Sequence, residues 1–201
     1  MQILVLLILF AVGAYLLKSR DERQRIALLG SHLGQYQIEK LMENLTEGYL
    51  RALGEEDPQR REQIWNLLHI SEVQLAEQFT RFAAEFATVD AAQARVSTLA
   101  IGLPYAAQWF PAATFDLRKV LSVHANGIAN VVANRAQRSI KDKAFTLTAE
   151  LYLMQHSCHW FCKSRALASA RLLARHKTAY EQVLAAVSPQ TRQAYGTLVG
   201  V

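Results

Sequence analysis

The chain has 201 residues, of which 51% are apolar and 19% charged, with 9 Gly, 4 Pro and a net charge of +5. That balance excludes a disordered or low-complexity polymer and leaves room for one domain with a real core. Two cysteines, Cys158 and Cys162, four apart in a helical stretch, exclude a disulfide-stapled secreted scaffold and read as free thiols.

Residues 1–17 carry no charged side chain, whereas the next eight, KSRDERQR, carry six. An uncharged run of this kind is a little short of the roughly 20 residues that cross a bilayer comfortably, and suits a thin bacterial membrane. Lys18, Arg20, Arg23 and Arg25 follow it, and no Lys or Arg precedes it. The basic flank resists translocation, which predicts a single-pass anchor with the remainder in the cytosol. Val12-Gly13-Ala14 resembles a signal-peptide cleavage site, but a secretory signal needs a positive stretch ahead of its apolar run.

From Ile26 to Tyr49, apolar residues recur at threes, fours and fives, which predicts that the anchor helix continues as a juxtamembrane helix over 18–53. Gly30, Gly34 and Gly48 weaken it without ending it. Asp57-Pro58 is a helix start, a capping acid followed by a first-turn proline, and opens a helix to about Phe86. Asp90 is expected to cap a short helix reaching Ile101. Pro104 and Pro111 break the uncharged stretch 102–115, and a helix is expected from about Thr114 to Gln137. Ser139 should open one long helix through Val187, and Ser188-Pro189 a short last one. The expected fold is all-α, with the anchor over 1–17 and a helical bundle over 54–201; no alternating strand pattern is present.

Three groups of residues carry chemistry worth locating. His156, Cys158, His159 and Cys162 combine imidazole and thiol donors on one helix, the donor types that suit zinc or another transition metal. One helix cannot surround an ion tetrahedrally, so no cofactor is expected; the stripe Leu147, Leu151, Met154, Phe161 makes the cysteines core residues instead. Tyr105, Trp109 and Phe110 in the uncharged stretch would line a pocket, lie at a membrane interface, or plug the core, the last being the expected role. Arg135, Arg138, Lys141, Lys143, Arg171 and Arg175 belong to a window, 117–180, with 11 Lys/Arg against 2 Asp/Glu, while residues 18–90 hold 9 against 13. Packing of the acidic front on the basic back accounts for this; a basic surface that binds anionic lipid headgroups or nucleic acid is the functional alternative. Nucleic acid is not expected as a partner, because no phosphate loop or recognition motif accompanies the charge.

No G-x-S-x-G, H-E-x-x-H or P-loop sequence is present. The expectation is therefore a non-catalytic interaction or scaffold protein at the cytoplasmic face of a bacterial inner membrane, contacting the lipid bilayer and either a protein partner or a second copy. The alternatives are a metal or thiol sensor using 156–162, and an enzyme with a pocket near 102–115.

Overall fold

The computed structural model describes residues 1–200, which are all-α in character, with 76% of the chain helical. Among the described residues there are nine helices and one two-stranded sheet. Helix α1 (Gln2–Leu33) continues without interruption from the uncharged run into the charged one. Its first half is bare, and it is long and apolar enough to cross a membrane. Its second half packs on the body of the protein, burying Leu29.

The chain bends at residues 34–37, so the single juxtamembrane helix expected over 18–53 is two elements. Helix α2 (Ile38–Gly54) starts after the bend, with the Gln37 amide donating to Gln78 Oε1 at 2.7 Å. It runs antiparallel to α3 (Pro58–Phe86), pairing Gly48 with Leu68 and Tyr49 with Trp65, while Tyr36 in the bend meets Phe82 edge-on. Gly48 permits the approach: a Cβ there would lie 2.3 Å from Leu68 Cδ2. Helix α3 begins as its sequence indicates, with Asp57 accepting from the Gln59 and Arg60 amides and Pro58 in the first turn. Phe79, Phe82 and Phe86 are fully buried along it, each contributing roughly 2–3 kcal/mol of apolar burial.

Asp90 accepts from the Ala92 and Gln93 amides as a cap would, but only a turn follows, not a helix to Ile101. The chain instead enters β1 (Arg95–Ser97), which pairs antiparallel with β2 (Thr114–Asp116), Val96 opposite Phe115. Between them lies a loop carrying the one-turn α4 (Ala106–Trp109). Helix α5 (Leu117–Val132) therefore starts three residues later than expected, capped by Asp116, and stops before Asn134, whose φ is positive.

The stretch read as one helix from Ser139 to Val187 is three. Helix α6 (Ile140–Cys162) ends at Lys163; Ser164 caps α7 (Arg165–His176), accepting from the Leu167 amide; α8 (Tyr180–Ala186) follows a left-handed turn at Lys177. Ser188 caps α9 (Pro189–Val199), as its sequence indicates. Helix α6 lies at the centre, touching α1, α2, α5, α7, α8 and β1. Leu147, Leu151, Met154 and Phe161 are buried along it, as their helical spacing requires.

Candidate membrane-facing site

The end of the domain from which the apolar half of α1 projects is built from charges that neutralise one another. Lys18, the first charged residue of α1, reaches Glu22 at 3.9 Å, and Glu22 also pairs with Lys163 at the end of α6. Asp21 pairs with Arg25 at 3.3 Å. Arg25 in turn donates to the carbonyls of Arg95 and Phe161 and stacks over the Phe161 ring at 5.4 Å. One turn of α1 is thus clamped to β1 and to the last turn of α6. These charges belong on one helix face because residues four apart stand above one another.

The β1–β2 loop closes over this clamp. The Tyr105 amide donates to Asp21 Oδ2 at 3.4 Å, and the Ala166 amide to the Ala100 carbonyl at 3.2 Å. A Cβ at Gly102 would lie 3.2 Å from the Lys163 carbonyl and 3.5 Å from Lys18 Cε, so a bare α-carbon suits this contact. Trp160 Nε1 donates to the Ser97 carbonyl at 2.9 Å and its ring meets Phe115 edge-on, fixing the hairpin to α6. A small cleft opens beside the loop, lined by Asp21, Arg25, Ile101, Leu103 and Lys163 among others.

The aromatics of this loop do not plug the core, the role their sequence context favoured. Trp109 is 75% exposed and Phe110 50%; Ile101 and Leu103 are exposed as well, and Tyr105 is half-buried. Phe115 and Ala106 are the buried residues of this region instead.

The His/Cys residues are placed apart by the helix they share. Cys158 is buried, and burial pushes its thiol far above the ordinary range; Cys162 is half-buried and raised to about 11 for the same reason. His156 turns towards α7 and α8, with Nε2 on Ser169 Oγ at 3.0 Å and its ring on Tyr180, and burial lowers it to about 4. His159 instead faces a groove with Gln155, Arg171 and Arg175. Among the described residues no group of three or more His, Cys, Asp or Glu is arranged to hold a metal ion.

Of the basic residues, Arg135, Arg138 and Lys141 flank the start of α6, about 30 Å along that helix from Lys163 and the α1 clamp. Lys143 is not a free cation: its ammonium pairs with the buried Glu72 carboxylate, which also accepts from Tyr49 Oη at 2.6 Å. That pair joins the acidic front of the chain to its basic back. Arg171 and Arg175 lie on α7 beside His159. The six residues do not form one surface.

Sequence reasoning missed a buried polar layer between α5, α6 and α9. His124 Nε2 lies 2.9 Å from Ser157 Oγ, and the Ser157 hydroxyl donates to the Leu153 carbonyl, which assigns the His124 proton to Nε2. Desolvation lowers His124 to about 3. Both residues are fully buried and the serine proton is committed to backbone, so the pair is structural and not a nucleophile with its base. Glu150, also buried, accepts from the Ser188 amide at 3.0 Å and hydroxyl at 2.7 Å, and burial raises its carboxyl. The spacing of Ser157 and Glu150 on α6, seven residues apart and one face, was the available signal. No protein-family model, curated protein or solved structure matches this chain.

Proposed function

We propose that residues 1–17 of α1 span a bacterial inner membrane and hold the helical domain at its cytoplasmic face, where the domain serves as a non-catalytic interaction or scaffold protein. One observation carries this reading: a single helix has an uncharged, fully bare half and a charged half clamped into the domain by Asp21, Glu22 and Arg25. Seventeen residues of helix measure about 25 Å, close to the hydrocarbon thickness of a thin membrane. A bare apolar rod of that length in water has no partner within the chain, and lipid supplies one. The rigid clamp then transmits the position of the membrane to the domain.

The interaction role is supported at the opposite end. Leu50 and Leu53 on α2, Leu67 and Ile70 on α3, and Ile140 and Phe145 on α6 are exposed, and Arg135, Arg138 and Lys141 flank the start of α6. Exposed apolar side chains at the end remote from α1's apolar half fit a protein partner or a second copy better than the bilayer that α1 occupies. The test of anchoring is extraction at alkaline pH. Wild-type chain should stay in the membrane fraction, and the Leu7→Lys, Leu9→Lys double variant should leave it, since each charge near mid-bilayer costs about 3 kcal/mol. Wild-type chain released by the wash would sink the anchor.

A further inference from the structure

We propose that the β1–β2 loop, through Ile101, Leu103, Trp109 and Phe110, inserts into the headgroup–acyl boundary of the same membrane leaflet from which α1 emerges. This rests on the reading of α1 as the membrane anchor. The occupant of the exposed face is therefore lipid, not protein.

Four observations place it there. The first is position. Gly102 packs on Lys18, the residue immediately after the uncharged run of α1, and the Tyr105 amide is bonded to Asp21 one turn on. With residues 1–17 filling the hydrocarbon, Lys18 stands at its boundary, Gly102 of the loop stands beside Lys18, and Tyr105 to Gln108 lie along the next turns of α1. The second is chemistry. From Val96 to Phe115 no side chain is charged, and the exposed ones include Trp109 at 75% and Ile101 at 64%. Tryptophan, apolar in body with one donor, favours the interface over either water or hydrocarbon.

The third is backbone accounting. A non-helical segment reaches the water-free hydrocarbon only where its N–H groups are satisfied, whereas the hydrated headgroup level tolerates open ones. Here the Ala106 amide donates to Leu103, Gln108 to Tyr105, Phe110 to Ala106, Ala113 to Phe110 and Thr98 to Ala113, all within the hairpin. The Ile101, Gly102 and Leu103 amides have no bond to protein among the described residues, which holds this segment at the hydrated boundary. The fourth is electrostatic. The nearby carboxylates, Asp21 and Glu22, are paired with Arg25 and Lys163, so no lone anion opposes contact with a lipid surface. Two attachments, a spanning helix and a loop beside it, fix the tilt of the domain on the membrane; one helix alone leaves it free to rock.

The full chain reconstituted at low protein-to-lipid ratio tests this by tryptophan fluorescence. Trp109→Phe keeps the apolar face, and subtracting its emission from wild type isolates Trp109 from Trp65 and the buried Trp160. With lipids brominated high on the acyl chain, the Trp109 component should lose most of its intensity, and aqueous iodide should leave it unchanged. Quenching by iodide and none by brominated lipid, in chain that survives an alkaline wash, overturns the loop insertion while α1 stands. Protection from both quenchers means that protein covers the loop, and also overturns it. Chain that washes off the vesicles removes the anchor and the loop contact together.

Discussion

Two histidines held neutral in the core make the domain sensitive to acid, and the size of the effect follows from their burial. His124 and His156 are 0% and 1% exposed, each with a ring nitrogen, Nδ1, that has no hydrogen-bond partner. Their folded values of about 3 and about 4 lie below the ordinary 6.5 of the unfolded chain. The stability they preserve is present above pH 6.5 and is lost as pH falls towards the folded values. Between pH 8 and pH 5 the unfolded chain gains a proton at each site and the folded chain gains almost none, a loss of about 2 kcal/mol per histidine. Glu150 acts with the opposite sign: its folded carboxyl is raised, so its contribution is present at low pH and lost as pH rises through the folded value. His159 and His176 add smaller losses in the direction of the core pair. These terms cancel in a comparison of variants. His156→Phe keeps the ring between Trp160 and Tyr180; the site feels the charges of Arg165 and His159, and His156 in turn adds to the lowering of His124. Urea unfolding of the full chain in mild detergent, followed by far-ultraviolet circular dichroism at pH 8 and pH 5, should show the variant losing about 2 kcal/mol less than wild type on acidification. Equal losses in the two proteins would refute the reasoning, because His156 would then take up its proton without unfolding.

Glu72→Ala should cost about 3–5 kcal/mol in the same unfolding assay, since it leaves the half-buried Lys143 ammonium without its carboxylate, and the added Lys143→Met change should recover part of that; no recovery would mean the pair is not coupled. Gly127→Ala should destabilise by about 1–3 kcal/mol, because its Cβ would fall 2.3 Å from Thr191 Oγ1 and 2.7 Å from Glu150 Oε2; a neutral result would show that this layer yields freely. Cys158 should react with maleimide only after denaturation, whereas labelling in the folded state would place it at the surface. Elemental analysis of untagged protein should find less than about a tenth of an equivalent of zinc, because a tight site needs several converging donors; a full equivalent surviving dialysis would restore the sensor reading.

The parts of the fold legible in the sequence are those set by local chemistry. Asp57-Pro58, Ser139 and Ser188-Pro189 cap helices because their side chains accept from amides two or three residues on, a rule that needs no tertiary context. The core face of α6 was legible because a stripe at helical spacing has one buried solution. The hairpin was not: three-residue strands are too short to alternate, and they are held by the pairing of Val96 with Phe115 and by Trp160 Nε1 on the Ser97 carbonyl, contacts between distant residues. Ser164 was a readable cap, but the apolar pattern runs straight across it and hides the turn. At the end from which α1 projects, the uncharged run and its basic flank were plain in the sequence. That Gly102 stands beside Lys18 and Tyr105 beside Asp21 was not, because the clamp from Asp21 to Tyr105 spans 84 residues.

The orientation of the domain tests the central claim most directly. Protease added to inverted inner-membrane vesicles should digest the chain beyond α1, and protease added to intact spheroplasts should leave it whole, because positive charge such as that at Lys18, Arg20, Arg23 and Arg25 resists translocation. Digestion in spheroplasts with protection in inverted vesicles would place the domain on the other face, and the account would be wrong.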